Sequence, residues 1–110
     1  MTSDQFRNSA LALPGAVESQ HMNHPDFRIG GKIFASLGYP DEISAMVKLT
    51  PEQQLEFITK SPEVFNPCAG AWGLRGATNV HLPLAKTSEI RSALKIAHEN
   101  VQQKLKKKKV

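Results

Sequence analysis

A chain of 110 residues, 40% apolar and 22% charged, has room for one globular core and none for a second of ordinary size. Its single Cys excludes a disulfide framework and a Cys-rich zinc module, and no window approaches the roughly 20 apolar residues of a membrane helix. A formal charge of +4, if spread over one face, would draw an anionic partner such as nucleic acid.

The start, Met1-Thr2-Ser3-Asp4-Gln5, lacks the basic and apolar regions of a signal peptide, so the expected location is the cytoplasm. Ser3 to Leu13 reads as a helix capped by Ser3, with Phe6, Ala10 and Leu13 on one face and Pro14-Gly15 as its stop. An extended stretch follows from Val17 towards Met22. Phe27-Arg28-Ile29 and Lys32-Ile33-Phe34-Ala35 flank Gly30-Gly31, which predicts a tight hairpin with Phe27 opposite Phe34. Glu42 to Leu49 reads as a third strand. Thr50-Pro51-Glu52-Gln53 then starts a helix that carries Leu55 and Ile58 inward and stops before Pro62. Residues 61–71 read as a loop, and Trp72–Leu74 and Ala77–Pro83 as two strands around Arg75-Gly76. The last helix begins at Thr87 or Ser88, and Ile90, Leu94, Ala97, Val101 and Leu105 form its buried stripe. The order α-β-β-β-α-β-β-α predicts an α+β two-layer sandwich, an antiparallel sheet with helices on one face.

The charge is unevenly placed. Lys104, Lys106, Lys107, Lys108 and Lys109 crowd the last seven residues, and without these five, nine basic residues face ten acidic ones. Residues 1–103 therefore form a nearly neutral single domain, and 104–110 a Lys-rich tail. Such a run is commonly a solvated, fraying helix end, and in other chains an arm that touches phosphate.

Most candidate chemistry reduces to structure. His21 and His24 lie three apart, which on a strand places them on opposite faces, so a metal or acid/base pair would need a sharp bend at Asn23-His24-Pro25. Cys68 has no activating base nearby in sequence and reads as an inert thiol. Gly30-Gly31-Lys32 and the Gly70, Gly73, Gly76 series match neither a P-loop nor a dinucleotide fingerprint and read as turn glycines. Trp72, the only Trp, has two readings: packing against a helix, or stacking a base beside Arg75. Arg28, Lys32, Lys48 and Arg75 are expected to share the outer face of the sheet. No metal or cofactor is expected.

Leu13-Pro14-Gly15-Ala16-Val17-Glu18, His21 and His24-Pro25-Asp26-Phe27-Arg28-Ile29-Gly30-Gly31-Lys32-Ile33-Phe34-Ala35 resemble the opening of the MmcQ/YjbR family. Met46 to Gln54, Gly70-Ala71-Trp72-Gly73, Gly76 to Val80 and Ala93-Leu94 with Ala97 resemble its later segments, so the likeness runs from about residue 6 to 103. The resemblance implies a small bacterial protein of secretion-chaperone-like fold, described as DNA-binding, with no catalytic residues to carry across. His98 stands where relatives usually have Trp, and His81 where Arg is common. The implied function is non-enzymatic, weak or non-specific DNA binding, with Arg28, Lys32, Lys48, Arg75 and the five tail lysines on phosphates and Trp72 stacking. The alternative is a protein- or peptide-interaction module using an exposed apolar patch. A small-ligand site would instead need a pocket joining His21 or His24 to Trp72.

Overall fold

The computed structural model describes residues 1–107. Helix α1 (Ser3–Leu11) is capped by Thr2, one residue earlier than expected, because Gln5 completes the capping box. The Thr2 Oγ1 accepts from the Gln5 N–H at 3.1 Å, and the Gln5 Oε1 accepts from the Thr2 N–H at 2.9 Å. Strands β1 (Val17–His21), β2 (His24–Ile29), β3 (Lys32–Leu37) and β4 (Ser44–Lys48) follow, then helix α2 (Pro51–Lys60) and strand β5 (Phe65–Pro67). Helix α3 (Gly70–Leu74), strand β6 (Ala77–His81), a 3₁₀ turn over Leu82–Leu84 and helix α4 (Thr87–Lys107) complete the chain. The six strands form one open sheet in the order β1-β2-β3-β4-β6-β5, each neighbour antiparallel.

The fold class is the expected one, but the element order gains a strand at each edge. All five β1 residues are exposed, because the strand pairs on one side only and carries no inward stripe to betray it. β5 is short and ends in Pro67, which an edge strand tolerates because the ladder needs no N–H on its outward side. Trp72–Leu74, expected as a strand, is helical. Gly73 packs its backbone against the Cys68 carbonyl so closely that no Cβ fits, so this glycine serves helix packing instead of a turn.

The Gly30-Gly31 hairpin forms as expected, both glycines at positive φ (58° and 78°). Its register differs. Phe27 pairs with Ala35 and Arg28 with Ile33, so Phe34 is an extra bulge residue and does not face Phe27. The two rings find other partners: Phe27 packs on Phe6 of α1, with centroids 6.0 Å apart, and Phe34 stands edge-on to His98 of α4 at 5.4 Å.

Helix α4 lies over the buried face of the sheet, with α1 packed beside it and α2 tied to it through Asn100–Gln53 and Ser61–Glu89 hydrogen bonds. The core joins Phe6, Phe27, Phe34, Val47, Phe65, Val80, Ile90 and Leu94, all at most 1% exposed. The expected inward pair on α2 is half wrong: Leu55 is 65% exposed. The inner stripe is instead Gln54, Phe57 and Ile58, with the Phe57 ring 5.0 Å from that of Phe65. A polar residue turns inward there because Gln54 Nε2 donates to the carbonyls of Gly73 (3.1 Å) and Ala77 (3.0 Å).

Candidate functional site

The Gly-Gly turn brings β3 back with Lys32 as its first residue, and β4 ends on Lys48 one strand away. The last turns of α4 run past this end of the sheet, where Leu105 sits against Gly30. That places Lys104 and Lys107 beside Lys32 and Lys48, around a groove of about 730 Å³. On the other side α3 supplies Trp72, and its C-cap supplies Arg75. Four of the five cations are exposed, and Lys48 is half-buried. Beneath them, Leu49, Ala77 and Val101 are at most 6% exposed and, with Ile33 and Leu105, give the groove an apolar floor.

Hydrogen bonds fix the walls. Asn100 Nδ2 donates to the Lys48 carbonyl (3.2 Å) and to Gln53 Oε1 (2.8 Å), and the same Gln53 closes the capping box at Thr50. The α4 wall, the end of β4 and the start of α2 therefore share one network. The Gln54 bonds described above hold α3, and with it Trp72 and Arg75.

The electrostatics are one-sided. Among the described residues no carboxylate lines the groove, and none of Lys32, Lys48, Arg75, Lys104 or Lys107 makes an ion pair within 4.0 Å. The Lys48 ammonium lies 5.2 Å from the centroid of the Trp72 ring. Burial, and then the charges of Lys104 and Lys32, hold the Lys48 pKa below the usual lysine value. A site in which one cation is already costly to charge favours an incoming anion.

Lys32, Lys48, Trp72, Arg75, Lys104 and Lys107 thus converge at the end of the sheet, not on its outer face. Lys106 is exposed on α4 outside the groove, and Lys108 and Lys109 lie outside the described residues. Arg28 does not join them. Its Nε donates to Asp26 Oδ1 (2.8 Å) and its terminal nitrogen to Oδ2 (3.0 Å), while His21 Nδ1 meets Oδ2 at 2.7 Å. Asp26 is fully buried, and the bond from Arg28 holds its carboxyl below the usual range. Nothing in the spacing of Asp26 predicts that Arg28 would close on it.

The bend between the histidines does occur. Met22 and Asn23 adopt positive φ (50° and 65°), and His21 and His24 face one another across β1 and β2. They separate in use, His21 to Asp26 and His24 edge-on to Tyr39 at 5.8 Å. Both lie at the opposite end of β2 from the groove, so no described pocket joins them to Trp72. Among the described residues no His, Cys, Asp and Glu group is arranged to hold a metal ion. Cys68 donates to Asn79 Oδ1 (3.1 Å), and burial pushes its thiol up to about 11, as an inert thiol requires. Tyr39, Ile43 and Leu84 are exposed apolar residues away from the groove. No helix among the described residues is long and apolar enough to cross a membrane.

No curated protein matches the chain. In fold it is similar to protein DR2400 of Deinococcus radiodurans, whose crystal structure carries the family-model domain DUF419. The TM-score is 0.79 at 18% identity, covering 94% of this chain and 80% of that one. The sequence model of the YjbR family matches residues 11–100, which takes in all of the groove except its α4 end at Val101, Lys104, Leu105 and Lys107. With about four-fifths of its length inside that match, the chain belongs to the YjbR family.

Proposed function

We propose that the protein binds DNA non-enzymatically, weakly and with little sequence preference, through phosphates seated on the groove. The observation that carries this reading is five cations around one groove, which among the described residues have no ion-pair partner and meet no lining carboxylate. Side chains gathered in this way on the rim of an apolar floor repel one another, and an anion spanning several of them relieves that repulsion. Lys and Arg contacts to phosphate follow the backbone and carry no sequence information, hence the low selectivity.

Fluorescence anisotropy with a labelled DNA tests it. Four or five phosphate contacts release counterions, so affinity should fall by roughly two orders of magnitude between ~50 and ~200 mM salt. Lys32→Gln or Lys104→Gln should each lower the slope of log affinity against log salt by about one unit. Absence of binding at the lower salt rejects the reading. Unchanged binding in Lys32→Gln and Arg75→Gln would move the contacts off the groove and onto the tail.

A further inference from the structure

We propose that the groove takes single-stranded nucleic acid in preference to a duplex, with an unstacked base against Trp72 and the apolar floor. This rests on the nucleic-acid reading above and specifies the form of the ligand. The cationic rim alone would suit either form, since both present phosphates. The floor and the indole would not. In a duplex the flat faces of the bases are stacked on one another, and its outer surface offers sugar and phosphate. Leu49, Ala77, Val101, Ile33 and Leu105 would then face a polar backbone and gain nothing. A single strand turns its bases out, and every base has an apolar face that an aromatic ring and an aliphatic floor can cover.

Trp72 is placed for this contact. It is 59% exposed although it is the largest apolar side chain in the protein, and it stands on the lip of the groove and not in the core. Its ring is partnered by the Lys48 ammonium at 5.2 Å, and Lys104 lies near enough to Lys48 to depress its pKa. A nucleotide entering there meets both of its needs within one side chain's reach: a ring for the base and an ammonium that can leave the ring for the phosphate. The groove volume, about 730 Å³, lies within the usual range for small-molecule-sized guests and suits one or two nucleotides.

As the only Trp in the chain, Trp72 reports directly on its own environment. Intrinsic fluorescence is followed at ~50 mM salt while the intact protein is titrated with oligo(dT), a mixed-sequence duplex of the same length and pyrophosphate. The expected result is strong quenching by oligo(dT), with affinity at least about tenfold above the duplex. Anisotropy with labelled oligomers, and with pyrophosphate as the unlabelled competitor, then compares variants. Trp72→Leu should weaken oligo(dT) binding by about tenfold or more and leave the duplex and pyrophosphate unaffected, while Trp72→Phe restores most of the loss. Far-UV circular dichroism confirms that both variants are folded. Equal or tighter duplex binding overturns this inference while the nucleic-acid reading stands. A parallel loss for pyrophosphate in Trp72→Leu also overturns it, since Trp72 would then only shape the groove. Binding of pyrophosphate with neither nucleic acid defeats both.

Discussion

The buried carboxylate of Asp26 accepts two bonds from the Arg28 guanidinium and meets His21 Nδ1 at 2.7 Å, which takes both side chains out of reach of a phosphate. Asp26→Asn removes the negative charge and replaces one of the two acceptor oxygens with an NH2 donor, and should cost about 2 kcal/mol in urea unfolding at pH 7. Because the folded carboxyl titrates below its ordinary value, its stabilisation is complete above the unfolded carboxylate pKa of about 3.9 and is lost as pH falls through the depressed one. The acid limb of the stability curve should therefore be shallower in the variant. Lys48 is a cation, so its lowered pKa has the opposite consequence for the charged form. Burial and two like charges lower its pKa, whereas a bound phosphate favours the charged form. DNA affinity should be constant while Lys48 stays protonated in the free protein, and should decline as pH rises through its lowered pKa towards the higher value in the complex. In anisotropy titrations from about pH 7 to 10, Lys48→Met should flatten that decline. An unchanged pH profile would remove Lys48 from the contact.

At the scale of the element, helix α2 organises the groove while contributing only its first residues to it. Gln53 joins the cap of α2 to Asn100 of α4, and Gln54 spans to the carbonyls on either side of Arg75 and Gly76. Gln54→Leu removes one of the two donors to each carbonyl, leaving the Gly76 N–H on Gly73 and the Cys68 N–H on Ala77, and should cost about 1 kcal/mol. It should also weaken DNA binding several-fold although residue 54 touches no ligand, with a matching change in the near-ultraviolet dichroism of Trp72. Unaltered affinity would show that α3 holds its place without α2. The start of α2 was plain in the sequence, because Thr50-Pro51-Glu52-Gln53 is a local signal and local hydrogen bonds realise it. The inward turn of Gln54 was hidden, since its partners lie 19 and 23 residues away. The same distinction explains the strands. Gly30-Gly31 announced its hairpin, whereas the bulge at Phe34 follows from packing on α1 and α4 that no hairpin signal encodes.

At the scale of the molecule, the long C-terminal helix does two things at once. Its buried stripe closes the core, and its last turns carry Lys104 and Lys107 past the sheet to face Lys32 and Lys48. Lysines that looked like a separate tail are in part the wall of a site whose other cations lie 29 to 72 positions earlier in the chain from Lys104. The candidate residues were largely legible as types, and their meeting place was not, because it depends on where α4 ends relative to the sheet. The near-neutral body and basic terminus are thus halves of a single electrostatic feature.

The two margins of the sheet differ, and the difference limits how copies of the chain can join. β1 presents five exposed residues with no lysine, proline or bulge on its outer side, whereas β5 is three residues long and ends in Pro67. Margin-to-margin pairing is thus open at one side and blunted at the other. If two molecules pair through β1, both outward margins of the joined sheet are β5, and growth stops at two. In such a pair the asymmetry would act as a chain terminator, leaving the sheet a route to a closed pair and none to a fibre.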